Sequence, residues 1–141
     1  MLDVAIDLES VLAGIDDLWN PRIVAKVNDH EARVAKFHGE YIWHSHADTD
    51  ELFLVLDGRL KIELFSEDGV QSAVELPRGS LFVVRRGRRH KPVSEGGASV
   101  LMLEYGGTIT IGDEKDVPSH IPSTSGVPLA SSDSSTQVQE G

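Results

Sequence analysis

Cysteine is absent from the 141 residues, which excludes disulfides, thiolate metal sites and thiol nucleophiles. Any metal bound here must be held by nitrogen and oxygen ligands, a donor set that suits Fe, Mn, Ni, Co, Cu or Zn. Basic residues are scarce, with 13 Lys and Arg against 23 Asp and Glu and a net charge of −10. That balance repels a phosphate backbone, and no helix-turn-helix pattern accompanies it, so nucleic acid is not an expected partner. Discarding residues 113–141, which hold five acids and Lys115, still leaves −6. No apolar run approaches the length of a bilayer span, and the opening MLDVAIDLESVL is acidic rather than a basic n-region before an apolar stretch. The expectation is an intracellular, cytoplasmic protein that makes no membrane contact.

The length and an apolar fraction of 40% allow one domain with a real core and leave no room for a separate cofactor-binding unit. Asp7 followed by Leu8, Val11, Leu12 and Ile15 has the spacing of a short amphipathic helix with an acidic cap, ending near Gly14. From Pro21 the pattern changes to short β-branched and aromatic runs broken by Gly, Asn, Asp and Pro, as in an all-β antiparallel barrel or sandwich. Strands are predicted at 22–28, 31–37, 41–46, 51–56, 60–65, 72–76, 80–84, 90–94 and 99–105. Asp57-Gly58 reads as a two-residue hairpin turn, and the stretch from Ser66 to Gly69 as a longer one. Leu52, Phe53, Leu54, Val55 and Leu56 are apolar on both strand faces, which calls for a second layer on the outer one. A second subunit could supply it, so a homodimer is expected. Beyond Asp113 the Ser, Thr, Pro and Gly content predicts a flexible tail. The resulting division is a helical segment 1–20, a β-barrel 21–112 and a tail 113–141.

His44 and His46 are one residue apart, so on a strand both imidazoles project from one face, with Tyr41 and Trp43 expected to turn away as core or interface residues. Glu51 follows an acidic turn and opens the next strand, where a hairpin return can set its carboxylate beside the imidazoles. His90 begins a later strand, directly after the basic turn Arg85-Arg86-Gly87-Arg88-Arg89. Three imidazoles and one carboxylate suit a single divalent transition ion and leave coordination positions for water, substrate or dioxygen. Two histidines on a strand are often only exposed polar residues; the pair together with Glu51, His90 and the turn glycines is far more specific.

The stretch Gly39-(4)-His44-x-His46-(4)-Glu51-(6)-Gly58 resembles the first motif of the cupin superfamily, and Gly79-(5)-Arg85-x-Gly87-(2)-His90 resembles the second. The resemblance runs from Ile23 to Gly107. Gly39 lies one residue closer to the histidines than is usual, and Arg85 and Ser94 stand where the second motif usually has Pro and Asn; no ligand position is lost. The resemblance implies a jelly-roll double-stranded β-helix that often dimerises, with His44, His46, Glu51 and His90 as metal ligands. Small single-domain cupins with such motifs are often labelled similar to mannose-6-phosphate isomerase, a label that rests on fold-level likeness.

Lys36 and Glu104 have strand parity that could aim them into the barrel as acid or base beside the metal. Arg85, Arg86, Arg88, Arg89 and Lys91 could grip an anionic substrate if they reached the barrel mouth, although a solvated turn paired with surface acids is the preferred reading. His30, His38 and His120 have no partner at ligand spacing. The functional expectation is a metal-dependent enzyme acting on a small oxygenated substrate. It would be a dioxygenase with Fe(II), or an isomerase, lyase or dehydratase by Lewis-acid chemistry. The alternative is a non-catalytic barrel that binds or senses a small ligand.

Overall fold

The structure is a computed structural model that describes residues 3–129. Its one helix among these residues, α1 (Leu8–Ala13), starts at Asp7, whose carboxylate accepts a hydrogen bond from the Glu9 amide, and stops at Gly14. The helix is as the sequence predicts, because the cap satisfies one of the amides that a first turn leaves unpaired. No helix among the described residues is long and apolar enough to cross a membrane.

The rest is β-structure: β1 (Arg22–Val27), β2 (His30–Glu40), β3 (Glu51–Phe65), β4 (Gln71–Pro77), β5 (Leu81–Val84), β6 (His90–Tyr105) and β7 (Val127–Pro128). Hydrogen-bonded neighbours run β4-β3-β6-β2-β1-β7, with β5 also on β3. Every pairing is antiparallel except that of β1 with β7. The expected jelly roll is therefore present, but as one folded-over sheet rather than a hydrogen-bonded closed ring.

The sheet folds over because β3 and β6 each serve both halves. Leu52 to Gly58 pair with the later part of β6, from Ala98 to Leu103, while Lys61 to Leu64 pair with its first part, from His90 to Val93. The corner lies at Asp57-Gly58, where the register shifts. These residues are not the predicted hairpin turn but a bend within one continuous strand. Both structures demand positive φ, and Gly58 has φ +78. It also lies against the other strand: a Cβ added to Gly58 would sit 2.1 Å from the Gly97 carbonyl oxygen. Across the bend the inward parity of β3 switches from Glu51, Phe53 and Val55 to Leu60, Ile62 and Leu64, all buried. Each large apolar side chain so buried stabilises the fold by about 1.5–3 kcal/mol.

Two other expectations are corrected. Residues 41–46 do not form a strand; only His44 makes an isolated bridge, to His90. The segment 113–129, predicted as flexible tail, is packed: Ile121 is 4% exposed in the core cluster and Val127–Pro128 pairs with β1. Its anchors are Ile121, the partly buried Val117, backbone hydrogen bonds and the side chains of Asp113 and Glu114, a scattered set that composition does not reveal. The remainder of the predicted tail, 130–141, lies outside the described residues.

Candidate metal centre

Each of the four predicted ligands is delivered by a backbone anchor. His90 opens β6 and exchanges two backbone hydrogen bonds with His44, His44 N to His90 O at 3.0 Å and His90 N to His44 O at 2.9 Å. Gly87 N donates to His46 O at 2.7 Å, tying the turn before His90 to the second histidine. Glu51 is the first residue of β3 and shares the inward parity of Phe53. One donor atom from each of His44, His46, Glu51 and His90 can be chosen so that all lie within 4.8 Å of one another, and all four residues are buried.

The tautomers follow from the carbonyls beside them. His44 Nδ1 lies 2.9 Å from Ile42 O and His90 Nδ1 lies 2.8 Å from Arg88 O. A carbonyl only accepts, so each Nδ1 carries the hydrogen and each Nε2 keeps its lone pair free, as a metal ligand must. Glu51 Oε1 stands 3.5 Å from both His46 Nε2 and His90 Nε2, and none of these three buried atoms has a hydrogen-bond partner. Leaving such groups unpaired costs about 1–3 kcal/mol each. Convergence of imidazole nitrogens and a carboxylate on one point fits a divalent cation. Burial alone would raise the Glu51 carboxyl, but the facing His46 and His90 rings outweigh it and hold it well below the usual carboxylate range. Burial, followed by the neighbouring His90 and His46, pushes His44 down to about 3, so its ring is neutral and available at physiological pH.

Beside the ligands lies a cavity of about 30 Å³, room for a water molecule or two. Trp19, Phe37, Tyr41, Phe53 and Met102 supply its apolar wall, with Glu104 and Thr110 among its polar groups. Trp19 stacks on Phe37 at 4.3 Å and on Tyr41 at 4.8 Å. Glu104 lines this cavity: the register Leu52↔Leu103, carried one residue further, sets it opposite Glu51. Its Oε1 is buried without a partner, while Oε2 lies 3.4 Å from Arg33 Nη1. Burial and the Glu51 charge raise its carboxyl well above the ordinary value, and Arg33 only partly offsets them.

Other predicted positions lie elsewhere. Lys36 faces away from the cavity and donates from Nζ to Ile15 O at 2.9 Å, because the inward residues of β2 are its neighbours Ala35 and Phe37. Tyr41, expected to turn away from the ligands, lines the cavity with its ring edge-on to His44 at 5.3 Å. The two-residue period fails there because 41–46 is irregular. Burial and the nearby Glu51 and Glu104 push its phenol up to about 12, and its hydroxyl has no hydrogen-bond partner. Trp43 does point outward, against Phe65. The basic cluster is a surface feature: Arg85 and Arg86 meet Asp50, Arg89 meets Glu114, and Lys91 meets Glu40 and Glu63. Arg33 and Thr110 carried no signal in the sequence; Arg33 on a strand reads as an ordinary surface cation, and Thr110 lies past the last predicted strand.

Comparison with known proteins agrees with this geometry. The uncharacterised protein YdbB of Bacillus subtilis (strain 168) is 39% identical over 66 residues, which span 44% of this chain and 58% of that protein. The crystal structure of a cupin-2 domain protein from Shewanella frigidimarina matches with a TM-score of 0.65 and 32% identity, covering 71% of this chain and 93% of that one. Hydroquinone 1,2-dioxygenase from Sphingomonas sp. TTNP3, solved with 4-nitrophenol, shares the fold at a TM-score of 0.66 and 22% identity, over 73% of this chain and 32% of that one. The cupin domain model matches residues 32–105, which contain all four clustered residues together with β3 and β6, and the chain belongs to the cupin family.

Proposed function

We propose that the chain is a metal-dependent enzyme acting on a small oxygenated molecule. In this reading His44, His46, Glu51 and His90 hold one divalent ion drawn from Fe, Mn, Ni, Co, Cu and Zn. The observation that carries it is the set of buried, unpartnered atoms around one point: His46 Nε2, His90 Nε2 and Glu51 Oε1, with Glu104 Oε1 and Tyr41 Oη also buried and unpartnered on residues that line the same cavity. The first three suit an ion; the last two suit a ligand that brings its own donors and acceptors.

When bound, the ion would supply Lewis-acid polarisation of a substrate oxygen or, as iron, a place for dioxygen to react. The chain's own part is positioning. Tyr41 Oη can donate a hydrogen bond, and burial keeps the phenol protonated for that role. Glu104 Oε1 can receive a substrate hydroxyl's hydrogen, or donate one while its carboxyl is neutral, as its raised value favours. The apolar wall keeps bulk water out and strengthens both contacts. Arg85, Arg86, Arg89 and Lys91 pair with surface acids outside the cavity, so these cations supply no grip for an anionic substrate there. A dioxygenase accords with the activity named for the Sphingomonas protein, whose identity to this chain extends to the fold alone.

A second reading, a barrel that binds a small ligand without turnover, is favoured by the size of the cavity, which admits little beside an ion. The two part on an assay of metal-loaded protein against a panel of phenols, enols and hydroxy-carbonyl compounds, with oxygen uptake and product formation followed together. Oxygen uptake with the iron form supports a dioxygenase, and turnover without it supports an isomerase, lyase or dehydratase. Ligand binding with no turnover for any metal supports the binding module and overturns the enzyme.

A further inference from the structure

The family match ends at Tyr105, yet the chain goes on to cover the metal centre with residues that lie outside that match. Residues 44 and 45 use their backbone groups on opposite sides. His44 exchanges two hydrogen bonds with His90, whereas Ser45, the residue between two ligands, is held by Asp113. Asp113 N donates to Ser45 O at 3.0 Å, and Ser45 N donates to the Asp113 carboxylate Oδ1 at 2.9 Å. The irregular ligand segment is thus flanked by β6 on one side and by the segment 106–129 on the other.

Gly112 makes the approach possible. A Cβ there would stand 2.2 Å from Ser45 O and 3.2 Å from His44 Cδ2, so the bare backbone rests against both the ligand loop and a ligand ring, at φ +58. Two residues further on, Glu114 meets Arg89 Nη1 at 3.3 Å, one residue before His90. Consecutive residues of the segment therefore touch the neighbours of three ligands. The segment is itself anchored: Ile111 and Ile121 are buried, Thr110 N donates to Thr124 O at 2.9 Å, and Arg33 Nη1 donates to Thr108 O at 3.1 Å.

We propose that segment 106–129 is a built-in wall of the metal centre and that Asp113 is a positioning residue, fixing the backbone between His44 and His46 through the Ser45 amide. The proposal rests on the reading that the four clustered residues hold an ion. Groups that orient ligands from outside the coordination sphere typically change metal affinity by about 10- to 100-fold when lost. Asp113 is exposed and its backbone bond to Ser45 would survive substitution, which places the expected effect near the lower figure.

The test is titration of the metal-free protein with Co(II), reading the visible absorption of the ion and its affinity by chelator competition. The wild type is expected to take one Co(II) per chain. Asp113→Ala should weaken binding about tenfold and shift the absorption bands. Asp113→Asn, whose side-chain oxygen can still accept from Ser45 N, should restore both affinity and spectrum. Gly112→Ala should be at least as damaging as Asp113→Ala, since its methyl displaces the loop directly. Binding by Asp113→Ala with wild-type affinity and spectrum overturns the proposal, as does failure of Asp113→Asn to rescue. If the wild type takes up no Co(II), the metal reading fails first and this one with it.

Discussion

Replacing Arg33 by Met removes a cation that is wholly buried and holds three groups together. Its Nε and Nη2 reach Glu31 Oε1 at 3.2 and 2.8 Å, and its Nη1 reaches Thr108 O at 3.1 Å and Glu104 Oε2 at 3.4 Å. Breaking a buried ion pair by removing one partner costs about 3–5 kcal/mol. Three features place the variant near the lower end. Lys26 Nζ, 3.9 Å from Glu31 Oε2, offers a partial substitute. Glu31 keeps some exposure, at 7%. Glu104 already tends toward its neutral form, so it loses less. The expected loss is about 3 kcal/mol, a large share of the roughly 5–15 kcal/mol that stabilises a typical domain. Urea unfolding of the metal-free protein at pH 7 measures it. Arg33→Met combined with Glu31→Gln should regain about 1 kcal/mol, because the stranded carboxylate is gone. A loss below about 1 kcal/mol for Arg33→Met, or further loss in the double variant, would refute the buried pair as a stabilising unit.

Other outcomes follow from particular contacts. Gly58→Ala should cost about 2 kcal/mol or more in the same unfolding assay, since its methyl meets the Gly97 carbonyl at the corner shared by β3 and β6 and the backbone there holds positive φ. Lys36→Ala should leave metal affinity unchanged and lower thermal stability slightly, its Nζ being bonded to Ile15 O away from the cavity; a loss of metal binding would return it to the site. The Asp17 carboxyl is held below its ordinary 3.8 chiefly by the Asn20 amide, with burial opposing and Arg22 assisting. A folded value below the unfolded one gives stabilisation that is complete above about pH 4 and fades as the pH falls through the folded value. The difference in melting temperature between wild type and Asp17→Asn should therefore be present at neutral pH and close in acid, and a gap that widened in acid would contradict it.

The ligand set was legible because its signal is chemical. His44, His46, Glu51 and His90 are residue types that a metal requires, and their spacing survives whether or not 41–46 is a regular strand. Glu104 was legible from parity, because β6 keeps one inward set from Ala98 to Glu104. Lys36 and Tyr41 were misplaced for the complementary reason: side-chain direction depends on register, and register shifts between Phe37 and Gly39 and is lost beyond Glu40. Asp57-Gly58 was misread because a hairpin and a strand corner make the same demand on φ. The wall formed by 106–129 was hidden by composition, since backbone hydrogen bonds to Ser45 and Pro21 leave no mark on side-chain chemistry.

Whether the four buried side chains hold one ion is tested most directly by metal content. Protein purified without chelator and then dialysed should retain one equivalent of a transition metal per chain. A His44→Ala/His90→Ala variant, folded by circular dichroism, should retain less than about a tenth of that, because two of the four donors are gone. Equal retention by wild type and variant, or no uptake by the wild type from any of Fe, Mn, Ni, Co, Cu and Zn, would contradict the account.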